Sequence, residues 1–317
     1  MPVITEENIL RRWNSYYGEK IVLKFQYFNK EGINEFIRVN HLKIKDDLLV
    51  EKVGKKLTLQ KQGSLPGCFK VQRRKISLGA MNEFLLGYYA IQGLASQFAS
   101  YILDPKPNET ILDMSAAPGG KTAHISSLMN NSGVIFAIDK SKKRLSALRS
   151  NLSRLGIKNV ISIEGDAVEI VPTLGKVDKI ILDAPCSGSG SICKNPQKRW
   201  AKNENDIFRL SKIQEQLLQV GLESLKINGE LVYSTCSIEP EESEFQIIKI
   251  LEKLGDYLEL IKINPINEFK TRIIDHPRIK SQTYNQKWIR LLPSQDYEGF
   301  FVCKLKKIDD LPKKKNQ

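Results

Sequence analysis

From residue 109 onward, segments with the apolar pattern of strands alternate with segments that have helical spacing. The predicted strands are ETILDMS, GVIFAID, VISIEGDA, KIILDAP and GELVYSTCS, and predicted helices follow all but the third of them. Such alternation requires a mostly parallel, twisted sheet that is covered by helices on both faces. The sequence therefore predicts an α/β domain over residues 109–308.

The residues before this domain have a different pattern. Helical spacing from Glu6 to Tyr17 is followed by strand-like alternation in residues 21–28 and 35–44, and by a turn-rich stretch at residues 62–67. Residues 1–80 are therefore predicted to form a small α+β domain.

Two further segments flank the α/β domain. Apolar residues have helical spacing from Met81 to Leu103, which predicts a helical connection over residues 81–108. Residues 309–317 are charged and lysine-rich, and we expect them to form a basic, disordered tail.

The charge of the chain favours a polyanionic partner. Its formal net charge is +13, and residues 51–75 contain eight basic residues against one acidic residue. Neutralising phosphates with Lys and Arg releases counterions, which favours binding to nucleic acid. The alternative is a solvated basic surface that only keeps the protein soluble.

The sequence also indicates where the protein is located and whether it contains disulfides or a metal site. The first residues lack the pattern of a signal peptide, and the longest nearly apolar run, at residues 84–95, is too short to span a bilayer. We therefore expect a soluble, cytoplasmic protein, with a monomer as the default. The five cysteines include no CxxC pair and lie far from the three histidines, so neither a disulfide framework nor a metal site is predicted.

The turn after the first strand of the α/β domain, DMSAAPGGK at residues 113–121, predicts a ligand site. Small residues let the backbone approach a ligand, and the amides at the start of the next helix favour a carboxylate. The turn is neither a GxGxxG dinucleotide motif nor a Walker A loop, because Ser115 stands where the latter needs glycine.

Acidic residues follow four strands of this domain: Asp113, Asp139, Asp166 and Asp183. Since the carboxyl ends of parallel strands meet at one edge of the sheet, we expect these carboxylates to converge on one crevice. Asp139 suits the diol of a ribose, although together with Ser141 it could instead cap the next helix.

Cys186 and Cys236 also lie just beyond strand ends, on the predicted ligand side of the sheet. A thiolate that adds to carbon 6 of cytosine makes carbon 5 able to attack a methyl sulfonium, and a carboxyl group such as Asp183 would assist by protonating the ring at N3. Methylation of a nitrogen needs no thiol. The alternative is that both cysteines are inert core residues.

Three motifs resemble those of the Nop/Sun-type RNA cytosine-5 methyltransferases: DMSAAPGGKT at 113–122, DAPCSGSG at 183–190 and VYSTCSIEPEESE at 232–244. The resemblance extends from about residue 35 to residue 306. It implies a Rossmann-like, S-adenosylmethionine-dependent methyltransferase domain that follows a small RNA-binding domain. It also implies Cys236 as the nucleophile and Cys186 as the group that helps to release the product.

The same resemblance implies the residues that hold the cofactor. The methionine part would be wrapped by Ser115, Ala116, Ala117, Pro118, Gly119, Gly120 and Lys121. Asp139 and Arg144 would hold the ribose, Asp166 would contact the adenine, and Asp183 would lie between cofactor and cytosine.

The chain departs from the family pattern at two positions, and its substrate is open to alternatives. Ser115 replaces a common Cys, and Gln197 replaces a usual Asp and could change contacts to RNA. Trp200, next to Arg199, is a candidate to stack on an extruded base, or else packs in the core. We expect a transfer RNA substrate; the alternatives are ribosomal RNA, methylation of a nitrogen or of DNA, and a noncatalytic RNA-binding scaffold.

Overall fold

The computed structural model describes residues 6–24, 33–192, 204–274, 276–280 and 287–312. They form two sheets. The smaller sheet is antiparallel, with strand order β2-β3-β1-β4. Its strands are β1 (Phe36–Val39), β2 (Leu57–Lys61), β3 (Cys68–Arg74) and β4 (Tyr89–Ile91).

The larger sheet contains five parallel strands in the order β9-β8-β5-β6-β7. They are β5 (Thr110–Asp113), β6 (Val134–Asp139), β7 (Val160–Glu164), β8 (Val177–Asp183) and β9 (Leu225–Thr235). Strand β12 (Phe300–Lys307) pairs antiparallel with β9, and β10 (Leu258–Ile261) and β11 (Ile289–Leu291) both pair with β12. These last three strands were not predicted from the sequence.

The longer helices are α1 (Glu6–Tyr17), α2 (Asp46–Val53), α3 (Leu94–Ile102), α4 (Gly120–Leu128), α5 (Lys142–Leu155), α6 (Glu204–Ser224) and α7 (Glu244–Leu254). Single α-helical turns occur at Asn82–Leu85, Ala167–Ile170 and Pro277–Lys280, and 3-10 turns at Leu78–Ala80, Val171–Thr173, Ser189–Ser191, Pro240–Glu242 and Gly255–Tyr257.

Helices cover both faces of the larger sheet, as its side-chain alternation requires. Leu112 and Ile180 share a core with apolar residues of α1, α6 and α7. Their neighbours along the strands, Ile111 and Ile181, share a different core with α3 and α4. The predicted α/β class with a mostly parallel, covered sheet is therefore confirmed.

The N-terminal helix α1 does not join the small sheet. Its buried residues Trp13 and Tyr17 belong to the core of the larger sheet, and the Trp13 indole Nε1 donates to Glu239 Oε1 at 2.8 Å. The prediction that residues 1–80 form one module is therefore wrong for this helix, because its apolar face finds its partners on the large domain.

Two secondary-structure predictions also need correction. Residues 19–24 are helical rather than extended, because Gly18 reverses the chain and its carbonyl accepts from the Val22 amide; residues 25–28 lie outside the described part. The connection at 81–108 is not wholly helical, since β4 lies within it and completes the small sheet. Gly87, with φ of +74°, ends the helical spacing at that point.

Candidate active site

A cavity of about 360 Å³ lies where the parallel strands end, which is where ligands bind in open α/β sheets. It brings both predicted catalytic cysteines together with part of the predicted cofactor loop. Its lining consists of Met114, Ser115, Ala117, Asp139, Lys140, Arg144, Gly165, Ala167, Asp183, Ala184, Pro185, Cys186, Ile213, Leu217 and Cys236.

The turn that follows β5 is held from inside by Asp113. This fully buried carboxylate accepts from Thr122 Oγ1 at 2.7 Å and from the Ser115 amide at 3.4 Å. Burial raises the pKa of Asp113 to about 6. Asp113 shapes the turn and does not line the cavity, so its predicted convergence with the other acids is wrong.

Glycine at position 119 is required by the entry into helix α4. Its φ of +96° is the left-handed conformation that favours glycine, and a Cβ there would lie 3.2 Å from Leu148 Cγ. Of the predicted methionine-binding residues, Ser115 and Ala117 line the cavity, whereas the others form the turn and the first residues of the helix: Ala116, Pro118, Gly119, Gly120 and Lys121.

Asp139 lines the cavity and is fixed by the start of helix α5. Its carboxylate accepts from the Ala117 amide at 3.2 Å and from the Ser141 amide at 3.0 Å, and Arg144 Nη1 lies 3.1 Å from its Oδ2. The helix cap is Ser141, whose hydroxyl accepts from the Arg144 amide, so the alternative role of Asp139 as a cap is wrong. Each carboxylate oxygen can accept more than one hydrogen bond, which leaves capacity for a diol.

Asp166 lies beside the cavity and is not part of its lining. It caps the turn Ala167–Ile170 by accepting from the Val168 amide at 3.0 Å, and it pairs with Lys140 Nζ at 2.7 Å. Its neighbours Gly165 and Ala167 line the cavity, but Asp166 does not. Of the four strand-end acids, the cavity therefore contains Asp139 and Asp183.

Both predicted catalytic thiols line the cavity, and the Sγ atoms of Cys186 and Cys236 are 3.4 Å apart. Parallel pairing of β8 with β9 sets Asp183 opposite Ser234 and so brings the two loops together. Its hydrogen bond with Cys236 and its burial hold the pKa of Cys186 well above the usual value. Cys186 therefore keeps its proton at neutral pH.

Asp183 forms the link between the cofactor loop and the thiols. Its Oδ2 is 2.7 Å from Lys121 Nζ, and its Oδ1 accepts from Ser234 Oγ at 2.8 Å. Burial lowers the pKa of Lys121, but the Asp183 carboxylate more than offsets this, so the net shift is upward. The ammonium is thus a charged group next to Asp183.

Sequence reasoning missed Glu242, which holds the Cys186 loop. This fully buried carboxylate accepts from the Ser187 amide at 2.8 Å and from Ser187 Oγ at 2.5 Å, and burial raises its pKa. Its position within PEESE after Cys236 is the only signal in the sequence. Gln197, which could change contacts to RNA, and Trp200, the candidate to stack on a base, lie outside the described residues, as do Arg199 and Cys193.

Within the described ranges, no cluster of His, Cys, Asp and Glu has the arrangement of a metal site. In the same ranges, the structure contains no helix with the length and apolarity that crossing a membrane requires.

A profile of the 16S rRNA methyltransferase RsmB/F family matches residues 100–306. The 28S rRNA (cytosine(4447)-C(5))-methyltransferase of Homo sapiens is 37% identical over 243 residues, which make up 74% of this chain and 29% of that protein. The tRNA (cytosine(72)-C(5))-methyltransferase of Pyrococcus horikoshii is 39% identical over 237 residues, 74% of this chain and 56% of that protein.

A solved structure described as a methyltransferase homologue protein from Pyrococcus horikoshii superimposes with a TM-score of 0.83 at 36% identity, covering 94% of this chain and 93% of that one. The chain spans less than a third of the human relative and just over half of the archaeal tRNA enzyme. The family match covers most of the chain and includes all three motifs. The chain therefore belongs to the RsmB/F family, the Nop/Sun-type S-adenosylmethionine-dependent RNA cytosine-5 methyltransferases that its motifs resemble.

Proposed function

We propose that this protein transfers a methyl group from S-adenosylmethionine to carbon 5 of a cytosine in RNA, through a covalent bond between Cys236 and carbon 6. The observation that carries this proposal is the contact of two thiols, 3.4 Å apart, on a cavity that also contains Asp183. Nitrogen methylation needs neither thiol, and a noncatalytic scaffold would have no reason to retain both.

The residues of the cavity fit the cofactor. Asp139 offers a fixed carboxylate for the ribose, with Arg144 beside it. Gly165 lines the cavity and has a φ of +148°. A Cβ there would lie 2.6 Å from Ile170 Cδ1, so this position favours glycine and exposes only backbone to the cavity. Asp166, between the lining residues Gly165 and Ala167, would contact the adenine. When bound, the cofactor supplies an electrophilic methyl group on a sulfonium.

The thiols have different roles in this proposal. The Cys236 thiolate forms the bond to carbon 6, which places the displaced electron pair on carbon 5 for the attack on the methyl group. Water then takes the carbon-5 proton, the released electron pair restores the double bond between carbon 5 and carbon 6, and Cys236 leaves carbon 6 as a thiolate. Cys186 keeps its proton and lies within contact of Cys236 Sγ, so it can protonate the departing thiolate.

Asp183 would orient the base and assist protonation at N3. It is held on one side by Lys121 and on the other by Ser234, and such fixed groups favour a charge that develops in the transition state. Water would supply this proton through Asp183 and take it back after the methyl transfer, while Lys121 keeps the carboxylate in place.

The small sheet is proposed to bind RNA. Within residues 51–75, four basic side chains have acidic partners: Lys56 with Glu83, Lys61 with Asp46, Lys70 with Asp296 and Arg74 with Glu35. Lys52, Lys55, Arg73 and Lys75 are exposed and form no ion pair with another described residue. These four would neutralise phosphates, which predicts a salt-dependent affinity.

We infer tRNA as the substrate, because the archaeal tRNA relative has the higher identity of the two relatives compared above. Ribosomal RNA is the alternative, and the human relative supports it. The cytoplasmic location and the monomeric state stay predictions.

The test is methylation of total RNA that lacks 5-methylcytidine, with labelled S-adenosylmethionine and bisulfite mapping of the product. Cys236→Ala should form no 5-methylcytidine, and Cys186→Ala should accumulate a protein–RNA adduct that resists denaturant. Cys303→Ala, a buried thiol in β12, is the matched control and should remain active. Full activity of Cys236→Ala would contradict the mechanism, and label on a base nitrogen would contradict the reaction class.

A further inference from the structure

A second cavity, of about 200 Å³, lies between the small sheet and helix α4, away from the thiols. Arg38 and His41 contribute to it from the small domain, and His124 and Asn130 from helix α4 and the turn after it. None of its lining residues is acidic. The polar part of its lining therefore contains hydrogen-bond donors and no carboxylate, and Val39, Leu65, Pro66 and Leu128 form the apolar part.

Arg38 is the unusual member of this group. Its side chain is 3% exposed, and its Nε donates to Gln92 Oε1 at 3.0 Å. Among the described residues no carboxylate pairs with it, whereas the equally buried Arg290 is paired with Glu244 through two nitrogens. Burial lowers the pKa of Arg38 to about 10. Buried cations normally have a partner, so the guanidinium has capacity for an anion.

His124 supplies a second, independent observation. It is 6% exposed, and its Nδ1 is buried without a hydrogen-bond partner in the described part of the chain. Burial holds the pKa of His124 well below its usual value, and Arg38 and His41 add to this. The ring is therefore neutral and can donate from one nitrogen. His41 is half-exposed and is already engaged by Asp46 at 2.7 Å, so Arg38 and His124 are the buried donors of this lining.

We propose that this cavity binds a phosphate group of the RNA backbone, with Arg38 and His124 as its donors. The proposal rests on RNA being the substrate. The cavity is smaller than the roughly 300 Å³ at which sites for whole ligands begin but much larger than the about 30 Å³ of one water, which suits a single group. The loop before β3 also lines it through Leu65 and Pro66, and Arg38 is the register partner of Cys68, the first residue of β3.

The test uses the full-length protein with isotope-labelled histidine. The chain has three histidines, and His276, which packs against Tyr16 and Phe245, is the internal control. Addition of an unmodified tRNA without cofactor should shift the NMR ring signals of His124 and leave those of His276 in place. In a separate titration, inorganic phosphate replaces the tRNA and tests whether the cavity binds a free anion.

Variants give the second measurement. Arg38→Gln should weaken RNA binding about tenfold, the loss expected for one charge-assisted hydrogen bond, and should lower the slope of log Kd against log salt by about 0.7 to 0.9. Arg38→Lys keeps the charge and should recover part of the affinity. Thermal unfolding of each variant shows whether the buried substitution has disturbed the fold.

The outcomes separate this proposal from that of methylation. Formation of 5-methylcytidine with no response of His124 to RNA would overturn the phosphate site alone. A response of His124 to RNA without 5-methylcytidine would overturn the methylation proposal and support the site. A response to inorganic phosphate but not to RNA would show a free-anion site and overturn the assignment to the RNA backbone.

Discussion

The Sγ atoms of Cys186 and Cys236 lie 3.4 Å apart, in loops that follow two neighbouring parallel strands. A disulfide would need about 2.05 Å, so the thiols are in contact without being bonded. The contact contributes, together with burial, to the raised pKa of the Cys186 thiol. One thiol is thereby kept as a proton donor next to the proposed nucleophile.

Mild oxidation with diamide is expected to join these two thiols and abolish methylation, since only a short movement separates them. The oxidant would take up one hydrogen from each sulfur, and dithiothreitol should restore activity. Mass spectrometry of unreduced peptides would locate the bond. Cys186→Ala should form no such bond, and a wild-type protein that stays fully active after Cys186 and Cys236 have been linked would contradict the proposed roles.

Asp183 and Asp178 both lie in strand β8, so they allow a matched comparison. Each pairs with a lysine at 2.7 Å, and their side chains are 33% and 30% exposed. Asp183→Asn should lower kcat/KM about 100-fold or more, the scale of a lost acid–base group, because only Asp183 lines the cavity. Asp178→Asn should stay near the wild-type rate. Equal losses in the two variants would show that the effect is structural.

The sequence predicted the strand ends well because each parallel strand has an apolar run followed by a small or acidic residue. Asp139, Asp183, Cys186 and Cys236 were placed on one edge by this logic, and the cavity contains them. Asp113 has the same pattern yet turns inward to Thr122. Such a difference depends on side-chain direction, which strand periodicity does not encode.

Other features depend on contacts between distant residues. Glu242 binds Ser187 across 55 positions, and no local pattern indicates that partnership. Strands β10, β11 and β12 were missed because they pair antiparallel and no predicted helix separates them. Helix α1 was correctly predicted as a helix. Its docking site next to Glu239 depends on contacts between residues far apart in the sequence, such as the hydrogen bond from Trp13 to Glu239.

Helix α1 is expected to stabilise the segment after Cys236 through Arg12. This arginine, 15% exposed, pairs with the buried Glu239 at 2.7 Å and also with Glu241. Arg12→Ala should lower the free energy of unfolding by about 3 kcal/mol, because the buried Glu239 carboxylate keeps its hydrogen bond from Trp13 but loses its cationic partner. Urea denaturation would measure the change.

The neighbouring Arg11 provides the control for this measurement. It pairs with Glu7 on the exposed surface of the same helix, where both side chains are at least 70% exposed. Arg11→Ala should cost less than about 0.5 kcal/mol. If the two variants lost the same stability, the Arg12 contacts would have no special role in docking α1.

The buried Asp113 predicts a pH dependence of stability with a definite sign. Its pKa is raised from 3.8 to about 6 by burial, so the folded protein holds this proton more tightly than the unfolded chain does. The stability that the protonated group provides is therefore present at low pH and is lost as pH rises from about 4 to about 6. Asn at this position can still accept from Thr122 but does not ionise. Relative to wild type, the free energy of unfolding of Asp113→Asn should therefore rise by about 2–3 kcal/mol between pH 4 and pH 7.

Urea denaturation of both proteins at several pH values from 4 to 7 would measure this difference. Asp178→Asn is the control with the opposite sign, because Lys226 outweighs the effect of burial and lowers the pKa of Asp178. Because this pKa is lowered rather than raised, the stability of Asp178→Asn relative to wild type should not rise between pH 4 and pH 7. Parallel curves for wild type and Asp113→Asn would mean that the pKa of Asp113 is not raised on folding, because the hydrogen bond from Thr122 and the charge of Lys121 offset the effect of burial.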